Sequence, residues 1–122
     1  MKPTLLAILL ATLALGQPQG AAAHHGWAWT TGQNVDMTGT IRKVRLGNPH
    51  GQLEVEVDGK TWVFEVGQPW RNERAGLKEG DLAEGVVVRA IGEPAANPGN
   101  LRLKVERLYL DAREHILYPD RD

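Results

Sequence analysis

Between Gln52 and Val66 the chain reads QLEVEVDGKTWVFEV, two alternating runs joined at Asp58-Gly59. A period of two puts Leu53, Val55 and Val57 on one face of the first run and turns Glu54, Glu56 and Asp58 to solvent. The second run returns with Trp62, Phe64 and Val66. Asp-Gly supplies the left-handed backbone that a two-residue hairpin turn needs, so this stretch is read as a tight antiparallel hairpin. A hairpin with one apolar face is unstable alone and commits its neighbours to a sheet.

The flanking segments meet that requirement. In VDMTGTIRKVRL, Val35, Met37, Gly39 and Ile41 share one phase while Val44 and Leu46 take the other, which predicts a bulge near Arg42 and Lys43. A fourth strand is read in GVVVRAIGEP from Gly85, although Gly92, Glu93 and Pro94 also have the composition of a turn. A fifth is read in NLRLKVERLYL from Asn100. There the phase changes between Val105 and Leu108, predicting a second bulge near Glu106 and Arg107. Residues 68–77, QPWRNERAGL, break the alternation; Pro69 suits a first helical turn and Gly76 a stop. Trp70 and Leu77 are expected to plug one end of the sheet, with the stem of Arg74 between them. The tail from Asp111 can extend the last strand. Five strands with bent first and last members, and a short helix between the third and fourth, form an all-β, OB-like barrel. An open antiparallel sheet or a small sandwich is the alternative.

Residues 1–23 read differently. Met1 and Lys2 precede an apolar run from Leu5 to Leu15, then Gly16, Pro18 and Gly20, then Ala21, Ala22 and Ala23. The run falls short of the roughly 20 residues that span a bilayer but suits the core of a cleaved signal peptide. The expectation is an exported, periplasmic or secreted protein with no stable membrane insertion after processing. Its first residue is His24, or Ala23 if the cut follows Ala22. Residues 24–34 then form an amino-terminal segment and residues 35–118 the barrel domain. Without residues 1–23 the chain carries 13 basic and 15 acidic side chains. That balance provides no footprint for nucleic acid. There is no cysteine, so burial alone must hold the domain.

Two of the four histidines, His24 and His25, stand at the expected new amino terminus. A free amine, two imidazoles and a third ring form a nitrogen-rich donor set that suits copper(II). His50 in Asn48-Pro49-His50-Gly51 is the candidate for the third, held by a turn at the sheet's rim. With Ala23 first, His25 becomes the third residue, and the amine, two amides and an imidazole can enclose copper(II) in a square plane. His115 is expected to be a solvated surface ring. Trp27 and Trp29 alternate at strand spacing and are expected to pack across the open end of the barrel. No serine or cysteine is present to act as a nucleophile. The chain is therefore read as a non-enzymatic binding module, with copper(II) as its one candidate cofactor. The alternatives are a protein-interaction or scaffold module with an unknown protein partner, and a barrel that grips a small ligand with Trp27, Trp29, Trp62 or Trp70.

Ala23-His24-His25, Thr38-Gly39-Thr40-Ile41, Asn48-Pro49-His50 and Gly80-Asp81 occur here in one order. In that combination the chain resembles an uncharacterised family of small exported bacterial proteins, a domain of unknown function. Gly26 departs from the serine that commonly follows the two histidines. The resemblance implies export and a small β-barrel and assigns no activity.

Overall fold

The structure is a computed structural model that describes residues 26–121. Strands β1 (Val35–Arg45), β2 (Gln52–Val57) and β3 (Lys60–Glu65) are followed by helix α1 (Pro69–Arg74), then β4 (Val87–Pro94), β5 (Arg102–Leu110) and β6 (Arg113–Ile116). β1 pairs antiparallel with β2 on one side and β4 on the other, β2 with β3, and β4 with β5. The parallel contact of Val63–Glu65 with Arg102–Lys104 closes the ring. The result is a closed five-stranded barrel in the OB arrangement, with one short helix. β6 is a sixth strand, folded back on the end of β5 at Asp111, whose φ is 55°. The tail therefore reverses and does not prolong β5.

Closure requires long strands to bend, and both bends lie where the apolar phase changes. On β1 the register with β2 shifts between Ile41 and Lys43. The first half of β1 pairs with β4 and the second half with β2. On β5 the register against β4 passes from Arg107 to Val105 across the Ile91–Gly92 step, leaving Glu106 as the extra residue. Gly92, Glu93 and Pro94 therefore belong to β4 and make no turn. The hairpin between β2 and β3 turns through Asp58 and Gly59, with φ of 49° and 76°.

Ile41, Leu53, Val55, Phe64, Val88, Ala90, Leu103, Val105 and Leu108 fill the barrel and are fully buried. One end is plugged by Leu77 and Leu82, from the turns that follow α1. Trp70 is 52% exposed and Arg74 is also on the surface, contrary to the expected plug. The six-residue helix instead buries Asn72, whose amide exchanges two hydrogen bonds with the backbone of Gly67, at 2.9 and 3.0 Å. Polar pairing, not an apolar stripe, seats the helix. His115 is also corrected. It lies on β6, 4% exposed, and its Nδ1 donates to the Ala75 carbonyl at 2.9 Å. Its site forms because the chain turns over it at Gly76, where φ is 87°.

Candidate functional site

His50 is in the loop between β1 and β2, which carries a cis Asn48–Pro49 peptide. The loop is fixed to the barrel because Gly51 donates to Gly67 O and accepts from Val66 N, at 3.0 and 2.9 Å. The ring is one-quarter exposed, and its Nε2 is 3.8 Å from Glu65 Oε1. Its Nδ1 is buried and has no hydrogen-bond partner among the described residues. Burial, and next the charge of Lys104, lower its pKa below the usual imidazole value. Glu65 opposes them, while Arg102 and Arg71 reinforce them. The ring is thus neutral at neutral pH, the state that a metal ligand requires.

Glu65 belongs to a buried ion cluster. Lys104 Nζ lies 2.6 Å from one of its oxygens and Arg102 Nη2 2.7 Å from the other. Lys104 leaves the barrel on the outer face of β5, where alternation alone predicts a solvated residue, yet it is fully buried. Its cover comes from both ends of the described chain. Trp27 meets Tyr118 edge to face with centroids 5.0 Å apart, and Lys104 Nζ is 5.5 Å from each ring. Arg121 lies 3.8 Å over the face of Trp27. Residues 26–29 form a turn and not the expected strand, and they pack outside β5, not across the open end of the barrel. Trp29 carries Arg102 on its ring at 5.2 Å, and Trp70 carries Arg71 at 4.5 Å. Three of the four tryptophans thus have a cation on one face.

A second cluster adjoins the first. Glu93 and Glu106 are both buried. They are hydrogen-bonded to each other, and Arg121 lies 2.8 Å from Glu93 and 3.5 Å from Glu106. Thr30 donates to Glu93 and Asn34 to Glu106, each at 2.9 Å. Burial, and then the neighbouring Glu93, push Glu106 above the ordinary carboxylate range despite the bond from Asn34. Burial also acts to raise Glu93, but Arg121 and Thr30 outweigh it and bring Glu93 below that range. Glu106 therefore holds a proton to higher pH when folded than when unfolded, and its ionisation costs stability as pH rises through the folded-state pKa. Glu106→Gln keeps an acceptor for Asn34 and a donor for Glu93. Denaturant unfolding of this variant at pH 8 should give stability equal to the parent or up to about 1 kcal/mol higher. A loss above about 2 kcal/mol would contradict the upward shift of the Glu106 carboxyl.

Of the three residues proposed as metal ligands, His50 is placed at the rim, whereas His24 and His25 lie outside the described residues. Among the described residues, no group of three or more His, Cys, Asp or Glu side chains is arranged to hold a metal ion. The cause is visible at His50, whose one carboxylate neighbour is already taken by Lys104 and Arg102. Among the described residues, no helix is long and apolar enough to cross a membrane. Sequence reasoning missed Glu65, Lys104 and Arg102. The only local hint is the surplus of aromatic residues at Trp27, Trp29 and Tyr118, which need a bed to lie on.

The fold and site define a class: a small OB-type barrel whose fifth strand is covered on its outside by the two ends of the described chain. The chain belongs to the family of unknown function DUF6152, whose profile matches residues 12–102. The matched span includes His24, His25, His50 and Glu65, and it ends before Lys104, Glu106 and Arg121. No curated protein matches the chain.

Proposed function

We propose that the protein is an exported, non-enzymatic binding module that takes up copper(II), or a similar transition metal, through His24 and His25 with His50 as a further ligand. Storage, delivery or an accessory role would each use such a module. The supporting observation is the position of Gly26, the residue that follows His25. A Cβ on Gly26 would lie 3.9 Å from Lys104 Nζ, which is bonded to Glu65, the carboxylate beside His50. Two extended residues add a reach of about 7 Å, before counting the imidazole arms. The cations around Glu65 oppose a bare metal ion at His50. That ring therefore acts as the last donor to an ion already held by the amine and imidazoles of the chain start.

Copper(II) titrated into the processed, metal-free protein should bind with an affinity that falls at least about tenfold in His24→Ala and in His50→Ala. Binding should weaken as pH drops through the imidazole range, because the proton and the metal compete for the same nitrogen. His50 enters that competition below the usual range, since its pKa is lowered. Unchanged affinity in both variants removes these residues, and a retained leader in the mass of the exported product removes the chelating terminus. A protein-interaction module is the second reading, favoured by the exposed Leu46, which lines a groove together with Pro69, Leu77 and Leu82. It requires a partner that stays bound after chelation.

A further inference from the structure

We infer that the cavity beside His50 is a binding site for a small organic oxyanion, a carboxylate or a phosphate ester, held between Arg45 and Arg102. The cavity has a volume of about 390 Å³, which falls within the usual range for small-molecule sites. Arg45, Asn48, His50, Gln52 and Arg102 supply polar groups to its wall, and Leu46 and Pro49 supply apolar surface. Glu65 also lines it, but its charge is answered by two cations, Lys104 and Arg102. With Arg45 added, the wall and the lysine behind it carry an excess of positive charge.

The donors are partly committed and partly free. Arg102 uses one amino group on Glu65, while its Nε–H is buried and has no hydrogen-bond partner among the described residues. Arg45 uses one amino group on Gln52 Oε1 at 2.8 Å. A guanidinium fork matches the paired oxygens of a carboxylate or phosphate. Arg102 is already oriented by Glu65 and by the ring of Trp29, so little side-chain freedom remains to be lost on binding. His50 lines the same wall, and its Nδ1 is buried without a hydrogen-bond partner among the described residues. The apolar rim from Leu46 and Pro49 gives the carbon portion of a ligand a surface that a bare inorganic ion would not use. The inference does not depend on metal uptake, since every group in it belongs to the barrel and to the loop between β1 and β2.

The test is isothermal titration of the chelator-stripped protein at low salt with succinate, the phosphate ester glycerol phosphate and neutral succinamide. Succinate or glycerol phosphate should bind and succinamide should not, with affinity falling as salt is raised. Which anion binds more tightly separates carboxylate from phosphate recognition. Arg45 is exposed, so Arg45→Gln leaves the barrel intact, and it should weaken the preferred anion at least about tenfold. Arg102→Gln should abolish binding, although it also releases Glu65. No binding of either anion, or equal affinity in the parent and Arg45→Gln, overturns the assignment.

Discussion

Replacing Glu65 with leucine should cost about 3–5 kcal/mol of stability, seen as a large drop in the denaturant midpoint with little change in slope. The variant leaves Lys104 inside the protein with no carboxylate and also frees Arg102. A domain of this size has about 5–15 kcal/mol in total, so most of its margin would be gone. Lys104→Met should cost clearly less, because Arg102 still answers Glu65. The double variant Glu65→Leu, Lys104→Met should recover much of the loss, since a buried ion pair and a well-packed apolar pair of similar volume are close in free energy. A loss below 1 kcal/mol in Glu65→Leu would mean that water reaches Lys104. The cluster also predicts an acid limb. Burial pushes the Glu65 carboxyl up, but Lys104 and Arg102 outweigh it and set its pKa below the ordinary value. A depressed carboxylate stabilises the fold above its unfolded-state pKa, and that contribution disappears as pH falls through the folded-state pKa. Acid unfolding should therefore be shallower in the double variant.

Gly92→Ala should lose about 2–4 kcal/mol, with the same denaturant curve as its readout. The backbone angle at Gly92 is one that any residue adopts, so the cost is one of space. A Cβ there would overlap the carbonyl oxygen of Lys104 and sit 2.9 Å from the Val105 Cα. These are backbone atoms, with no flexible side chain to yield. Relief requires β4 and β5 to separate at the Glu106 bulge, which also pulls Lys104 away from Glu65. A change below 1 kcal/mol would show that the two strands are already loosely joined there.

The barrel was legible in the sequence because its determinants are local. Asp58-Gly59 specifies the hairpin, and the switch of phase in β1 and β5 marks both bulges to within a residue or so. Pro69 and Gly76 bracket the helix. What could not be read is the cover. Lys104 and Glu106 occupy positions that alternation assigns to water, and only residues far away in the chain, Trp27, Asn34, Tyr118 and Arg121, remove them from it. His115 failed for the same reason, since its burial depends on Ala75 and Gly76, about 40 residues earlier. Trp70 failed because side-chain size suggests burial, whereas α1 is held through the amide of Asn72. Of the candidate site, the turn that carries His50 was readable from Asn48-Pro49-His50-Gly51. The cations that add to burial in lowering the pKa of the ring come from β5 and α1 and have no signature near it.

The cover also sets an order of assembly. β-hairpin contacts in the sheet join residues a few positions apart, whereas the seat of Arg121 on Trp27 joins positions near opposite ends of the described chain. Contacts of such long reach form late, after the entropy of closing the intervening loop has been met. Until residues 118–121 emerge from the ribosome, or from any channel the chain passes through, β5 presents the Lys104 ammonium and the Glu106 carboxyl to water. A nascent barrel is thereby kept hydrated on the side that ends up sealed.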